Sequence, residues 1–330
     1  MTLRWGLLST ASINDLILES CRDSAAVEFV AVASRDAGRA EAWAAARGIP
    51  RALGSYEALL ADPEVDAIYV ALPNGMHMAW SQAALAAGKH VLCEKPLTRH
   101  AAEIEATYEA AERADRVFGE AFMYRHHPQT DAIRDVVASG RLGEPRVILS
   151  SHSFWMPPEE YGRRLPAELD AGALMDLGCY QIGMSRLLAG GEPEEVFGMQ
   201  ALHETGVDMR FAGTLRFAGD LLAQFDCAMD VPLRNTLEVV GSEATLAVSD
   251  PWHCRGGTLR LRREGGEPED LAVPTGDAYR LEFEAFARAV AGERVPAFDR
   301  SEAVAQARVI TALYASADAG ATVSLAQVQA

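Results

Sequence analysis

The feature that most constrains this chain is an alternation in its N-terminal part, where short apolar runs are separated by stretches of helical periodicity. Leu3 to Leu8, Val27 to Ala33, Ala67 to Leu72, His90 to Leu97 and Val117 to Phe122 read as strands. The segments between them carry helical patterns, among them Tyr56 to Leu60, Ala79 to Ala87 and Ala101 to Ala114. Strands that are apolar throughout are buried on both faces, as in a parallel sheet covered by helices on each side. The spacing therefore predicts an α/β fold with a doubly wound parallel sheet of the Rossmann type. In such sheets ligands bind at the carboxyl ends of the strands, so the polar residues at those ends are the candidates for chemistry.

The run from His90 ends abruptly in Glu94-Lys95-Pro96. The chain has only two lysines, Lys89 and Lys95, and every other cationic chain is arginine. Arginine never yields its proton, whereas a partly desolvated ammonium can be tuned towards neutrality. Lys95 is therefore a candidate for proton chemistry; the plainer alternative is a solvated lysine at a strand end.

After the first strand, Ser9-Thr10-Ala11-Ser12-Ile13 leads into a helix. This is the strand–turn–helix arrangement whose leading N–H groups hold a diphosphate. Ser9, Ala11 and Asn14 stand in the three glycine places of the dinucleotide fingerprint, and Gly6 lies earlier, inside the strand. An ordinary βα turn remains open on this stretch alone. The second strand ends in Ser34-Arg35-Asp36, with Arg39 in the next helix. A hydroxyl and arginines suit a ribose 2′-phosphate, which favours NADP over NAD; Asp36 is assigned to capping the helix.

The texture changes at Met123. A helix at Gln129 to Ser139 precedes a strand from Pro145 to Trp155, then an irregular loop with Tyr161, Arg163 and Arg164. Gly172 opens an apolar helix in which Asp176 and Tyr180, four apart, share one face. Strand-like stretches follow at hairpin spacing: Glu195 to Gln200, Met209 to Phe217, Leu221 to Asp230, Thr236 to Gly241 and Ala244 to Val248. They predict a large, mainly antiparallel sheet with one face open to a partner. Glu282 to Ala291 and Ser301 to Ala317 read as helices, the second capped by Ser301. The expected division is 1–122 and 123–330.

Length and charge bound the function. The 330 residues suffice for two domains, and the net charge of −17 argues against nucleic-acid binding, which needs basic surfaces. Five cysteines, odd in number and without CxxC spacing, fit a reducing cytoplasm and neither a disulfide framework nor a metal site. No apolar run approaches a membrane span, and no signal peptide opens the chain.

Taken together, Trp5-Gly-Leu-Leu-Ser-Thr-Ala11, Leu72-Pro-Asn74 with His77, Glu94-Lys-Pro96, Glu120-Ala-Phe-Met-Tyr-Arg125 and Gly172 to Tyr180 resemble the glucose–fructose oxidoreductase/inositol dehydrogenase (Gfo/Idh/MocA) family over essentially the whole chain. The resemblance implies a Rossmann domain followed by an α+β domain whose open sheet mediates homo-oligomers, dimer or tetramer. Its last helices are expected to fold back towards the first domain. Tyr180 stands where inositol dehydrogenase-like members commonly carry histidine, which points to the NADP-dependent aldose dehydrogenase and dihydrodiol dehydrogenase branch.

By the same resemblance, NADP(H) would be held by Ser9, Thr10, Ala11, Ser12, Ile13, Ser34, Arg35, Arg39, Leu72, Pro73, Asn74, His77, Glu94 and Lys95. Substrate would meet Arg125, Tyr161, Arg164, Asp176 and Tyr180, with Lys95, Tyr180 and Asp176 as the catalytic set. The implied activity is hydride transfer to or from a sugar or polyol carbon, most like an aldose (D-xylose) 1-dehydrogenase. A biosynthetic ketosugar reductase, a dihydrodiol dehydrogenase and, less favoured, a dinucleotide-sensing regulator remain as alternatives.

Overall fold

The computed structural model describes residues 2–161 and 166–327. Its contacts divide the chain into two compact units, 1–126 with 277–304 and 127–276 with 305–330.

In the first unit, six strands form one sheet: β1 (Leu3–Leu8), β2 (Val27–Ala33), β3 (Arg51–Leu53), β4 (Ala67–Val70), β5 (His90–Glu94) and β6 (Phe118–Ala121). Their order is β3-β2-β1-β4-β5-β6, and every pairing is parallel. This is the dinucleotide-binding order, with its reversal of winding between β1 and β4. Helices α1 (Ile13–Ser20), α2 (Ala37–Arg47), α3 (Tyr56–Leu60), α4 (His77–Ala86) and α5 (Ala101–Ala114) connect the strands. β4 is buried throughout, as expected of a strand covered on both faces. Gly6 is required by packing: a Cβ there would lie 2.9 Å from Leu59 Cδ1 and 3.1 Å from Ile68 Cδ1.

A late segment completes this core. Helix α8 (Ala278–Val290) begins at Asp277, whose carboxylate accepts from the amides of Tyr279 and Arg280. It drives Phe283 and Phe286, both 0% exposed, against Trp5, with ring centroids 4.7 and 5.2 Å apart. Burying rings of this size contributes about 1.5–3 kcal/mol each.

The second unit is built on nine strands. They are β7 (Pro145–Trp155), β8 (Glu195–Leu202), β9 (Asp208–Arg216), β10 (Leu222–Ala228), β11 (Asp230–Gly241), β12 (Ala244–Ser249), β13 (Leu259–Arg263), β14 (Glu269–Leu271) and β15 (Val323–Ser324). The order is β14-β13-β12-β11-β7-β10-β9-β8-β15. Only the β7–β10 pairing is parallel, so the sheet is mixed though mainly antiparallel. One face is buried through Ile148, His152, Phe211, Phe225, Cys227 and Val239. Helices α6 (Pro128–Ala138) and α7 (Cys179–Ala189) belong to this unit. On the other face Leu149, Phe197, Met199 and Leu222 are exposed. The boundary between the units falls inside α9 (Arg300–Ala319).

Several expectations are corrected. The short strands β3, β13, β14 and β15 were not anticipated, because three residues or an arginine-rich Leu-Arg-Leu-Arg-Arg carry little apolar signal. Ser301 is not the cap of α9: the helix starts at Arg300, and the amides of Glu302 and Ala303 donate to Asp299 O. The segment Leu174–Gly178 is a π-helical turn, not the α-helix from which the alignment of Asp176 with Tyr180 was argued. Asp36 does cap α2, accepting from Arg39 N at 2.9 Å.

Candidate active site

The carboxyl ends of β1, β2, β4 and β5 carry the candidate residues of the first unit. Ser9 follows β1 at φ 144°, a conformation that favours glycine, and it stands in the first glycine place of the fingerprint. Its side chain and carbonyl stabilise that geometry. The hydroxyl donates to Ala71 O at 2.7 Å and accepts from Ala11 N at 3.2 Å, while Asn14 Nδ2 donates to Ser9 O at 2.9 Å. Ser12, at the start of α1, makes no capping bond with its side chain, so the first turn of this helix is not closed by its own N-cap. Thr10, Ala11, Ser12 and Ile13 thus form a tight turn into a helix N-terminus, the donor set a diphosphate requires.

At the end of β2, Ser34 is buried and its hydroxyl accepts from Asp36 N at 3.2 Å. Arg35 and Arg39 are exposed, and neither makes an ion pair among the described residues. Both guanidinium groups act on the Tyr56 phenol, whose pKa burial raises and the arginines lower. Two uncompensated cations beside a buried hydroxyl fit a phosphomonoester on the adenosine ribose.

After β4, Leu72 and Pro73 lead into a short turn at Asn74–Met76. His77 is 0% exposed, with Nδ1 2.9 Å from Pro96 O and Nε2 2.7 Å from Leu72 O. It ties the end of β4 to the cis Lys95–Pro96 turn, and burial holds the imidazole below its usual pKa, with Lys95 adding to that effect. The ring of His77, a residue expected to line a cofactor channel, is wholly buried and braces the turn on which Lys95 stands.

Glu94 ends β5 and Lys95 follows it directly, and both are part-buried. The Tyr69 phenol donates to Glu94 Oε1, and Lys95 N donates to Glu94 Oε2 at 3.1 Å. Glu120 on β6 holds the far side of the turn, accepting from Leu97 N at 3.0 Å. Glu282 on α8 is 1% exposed, and burial, reinforced by Glu94, pushes its carboxyl well above the usual range. The two lysines separate by role. Lys89 precedes β5, and its ammonium donates to Asp62 O and Val65 O at 2.6 and 2.7 Å. Lys95 lies at the opposite, ligand-binding end of that strand.

Arg125, expected to contact substrate, pairs with Glu302 at 2.9 Å within the same unit, and its side chain is 13% exposed. In the second unit Tyr180 on α7 is 6% exposed, and its ring packs edge-on against His152 at 5.4 Å between centroids. Trp252 stacks on His152 at 5.8 Å and lies 6.3 Å from Tyr180. Asp176, in the preceding π-helical turn, is part-buried, and its amide donates to Gly172 O at 2.8 Å. Tyr161 packs against His203 at 5.2 Å. Arg164 lies outside the described residues. The strand-end groups are thus gathered in one unit, and Asp176 with Tyr180 in the other. His152, Trp252, Tyr69 and Glu282 were missed, since an isolated aromatic or acid in an apolar stretch carries no spacing signal.

Among the described residues no cluster of three or more His, Cys, Asp and Glu side chains is arranged to hold a metal, and all five cysteines are buried thiols outside any disulfide. No described helix is long and apolar enough to cross a membrane.

Comparisons with known proteins agree with this arrangement. Residues 5–122 match the model of an oxidoreductase family with an NAD-binding Rossmann fold, and residues 130–247 match the GFO/IDH/MocA C-terminal domain. The chain is 38% identical over 327 residues to D-xylose 1-dehydrogenase (NADP(+)) 2 of Haloferax volcanii, covering 98% of this chain and 100% of that one. It is 36% identical to human trans-1,2-dihydrobenzene-1,2-diol dehydrogenase, over 77% of this chain and 76% of the other. Among solved structures, a 3-ketoreductase from Actinomadura kijaniata with NADP and TDP-benzene superposes with a TM-score of 0.89 at 28% identity, covering 96% and 98%. An aldose–aldose oxidoreductase from Caulobacter crescentus shares the fold, with a TM-score of 0.89 at 24% identity over 98% and 100%. With both domain models matched in order, and a six-stranded parallel sheet followed by a large mixed one, the chain belongs to the GFO/IDH/MocA family of oxidoreductases.

Proposed function

We propose that the protein is an NADP(H)-dependent dehydrogenase or reductase acting on the CH–OH group of a sugar or polyol, most like an aldose (D-xylose) 1-dehydrogenase. The observation that carries the reading is the presence in one unit of a part-buried strand-end lysine, Lys95, and of Arg35 and Arg39, which make no ion pair among the described residues, in a chain similar end to end to an NADP-dependent xylose dehydrogenase.

The roles follow from the chemistry each group can perform. The amides of Thr10 to Ile13 bind the diphosphate, and Ser34, Arg35 and Arg39 bind the 2′-phosphate. Bound NADP(H) supplies or accepts a hydride at nicotinamide C4. Tyr180 donates or takes the hydroxyl proton of the substrate. An ordinary phenol has a pKa near 10 and needs a cation to act as a base near neutrality; Lys95 is our candidate for that charge. Asp176 orients the substrate hydroxyls. General acid–base assistance of this kind contributes roughly 10²–10⁴-fold.

A second reading is favoured by the similarity to the 3-ketoreductase, which has also been solved with a lysine replaced by alanine and with a tyrosine replaced by phenylalanine. In it the enzyme runs in reverse, reducing a ketosugar with NADPH. A third, a dihydrodiol dehydrogenase, draws on the mammalian relatives. The exposed row Leu149, Phe197, Met199 and Leu222 on one sheet face supports a homo-oligomer in which a second copy covers it. Five buried cysteines, none in a disulfide, support a cytoplasmic setting.

The test is an assay panel of aldoses and polyols with NADP+, and ketosugars with NADPH. Turnover of an aldose with NADP+ is expected. Turnover restricted to ketosugars selects the second reading, and reduction or oxidation of none of them refutes the proposal.

A further inference from the structure

Asp208, the first residue of β9, is 2% exposed, yet its carboxylate is fully engaged. Oδ2 accepts from Leu174 N at 2.7 Å and Oδ1 from Tyr314 Oη at 2.8 Å, and the amides of Ala173 and of Asp208 itself add to the set. An acid from a distant strand thereby satisfies the first N–H groups of a helical segment, as a side-chain cap does locally. That segment is the π-helical turn Leu174–Gly178 leading into α7. Gly172 adjoins the anchor at φ 153°, and a Cβ there would lie 2.0 Å from Asp208 Oδ1 and 2.9 Å from Tyr314 Oη. The next link is backbone: Gly172 O accepts from Asp176 N at 2.8 Å.

We propose that Asp208 is a positioning residue: its buried carboxylate, clamped between the Ala173–Leu174 amides and Tyr314, fixes the turn that carries Asp176 and delivers Tyr180. The inference rests on the reading of Asp176 and Tyr180 as the groups that handle substrate and proton.

The anchor depends on charge. As a carboxylate, Asp208 accepts at both oxygens; once protonated, one of them carries a hydrogen and meets a donor. Burial pushes this carboxyl up to about 6, against the lowering effect of its hydrogen bonds. The titratable groups facing it are Tyr314 on α9 and Cys227 on β10, whose thiol is held well above its usual value. Cys227 is held as a thiol near neutrality and Tyr314 is the donor in its bond to Oδ1, so the acid limb expected of this cluster is the protonation of Asp208.

The experiment compares the full-length protein with Asp208→Asn and Tyr314→Phe. Three quantities are read: the pH profile of kcat, the Kd for NADP+, and hydrogen exchange of the amides of residues 172–180. Asp208→Asn is expected to lower kcat roughly 10- to 100-fold, the cost of a misplaced reacting group, with Kd for NADP+ unchanged. It is also expected to abolish the acid limb. Tyr314→Phe removes a donor that favours the charged form, so it should move that limb to higher pH. Exchange should quicken at residues 172–180 in both variants, while the rest of 127–276 keeps its protection. Unchanged kcat and profile in both variants, or loss of protection spread evenly over 127–276, would overturn the proposal. If the wild-type protein turns over no sugar, the proposed function fails separately, and the exchange pattern alone decides whether Asp208 anchors the turn.

Discussion

Ionised Asp208 is a cost to folding that acid should relieve. Its carboxyl lies near 3.8 in the unfolded chain, and burial raises it to about 6 in the folded one. Above pH 7 both states are ionised and the penalty is complete. As the pH falls below 6, the folded protein takes up a proton that the unfolded chain does not, so this group makes stability rise as pH falls. Each unit of difference is worth about 1.4 kcal/mol. One unit below the folded value, near pH 5, the gain is about 1.4 kcal/mol, and it approaches roughly 3 kcal/mol once the unfolded chain protonates as well. Asp208→Asn cannot titrate and lacks the gain. Other groups cancel in the difference between the two proteins, including Asp66 and Asp15, whose depressed values give the opposite sign. The assay is urea unfolding of wild type and variant at about pH 7.5 and 5, followed through amides of residues 127–276. The stability advantage of wild type should widen by about 1.4 kcal/mol at the lower pH. An advantage that stays constant or narrows would refute the placement of a buried, ionised carboxylate at this position. Stability and turnover are then expected to move in opposite directions below pH 6.

Two further outcomes follow from the geometry. Replacing Arg35 and Arg39 together by alanine should raise the KM for NADP+ roughly 10- to 100-fold, about one or two charge-assisted hydrogen bonds, and leave that for NAD+ unchanged in steady-state kinetics. Met199→Glu places a charge in the exposed apolar row of the second sheet; if a second copy covers that row as proposed, analytical ultracentrifugation should show the variant at a lower mass than wild type with the circular dichroism spectrum preserved.

The first sheet was legible because its strands are apolar throughout and its connecting helices periodic; β1, β2 and α5 occupy the predicted residues. The positions of Ser9 and Lys95 at strand ends follow from that frame. What escaped prediction depends on contacts between residues far apart in the chain. Nothing local marks Phe283 as part of the core around Trp5, or Asp208 as the cap of a helix beginning at Leu174. The π-helical turn was hidden for the same reason, since the sequence Leu174 to Gly178 is compatible with an α-helix, and the anchoring acid comes from β9. The partner of Arg125 was likewise not legible: Glu302, reached only through the fold, pairs with it.

The proposed function assigns the substrate proton to Lys95 and Tyr180, so turnover should require each of them. The most direct measurement is the appearance of reduced-nicotinamide absorbance with NADP+ and an aldose, recorded for wild type, Lys95→Ala and Tyr180→Phe alongside the Kd for NADP+. The prediction is turnover in wild type and a fall of roughly 10²–10⁴-fold in each variant, with cofactor affinity retained. Turnover within about threefold of wild type in either variant would contradict it.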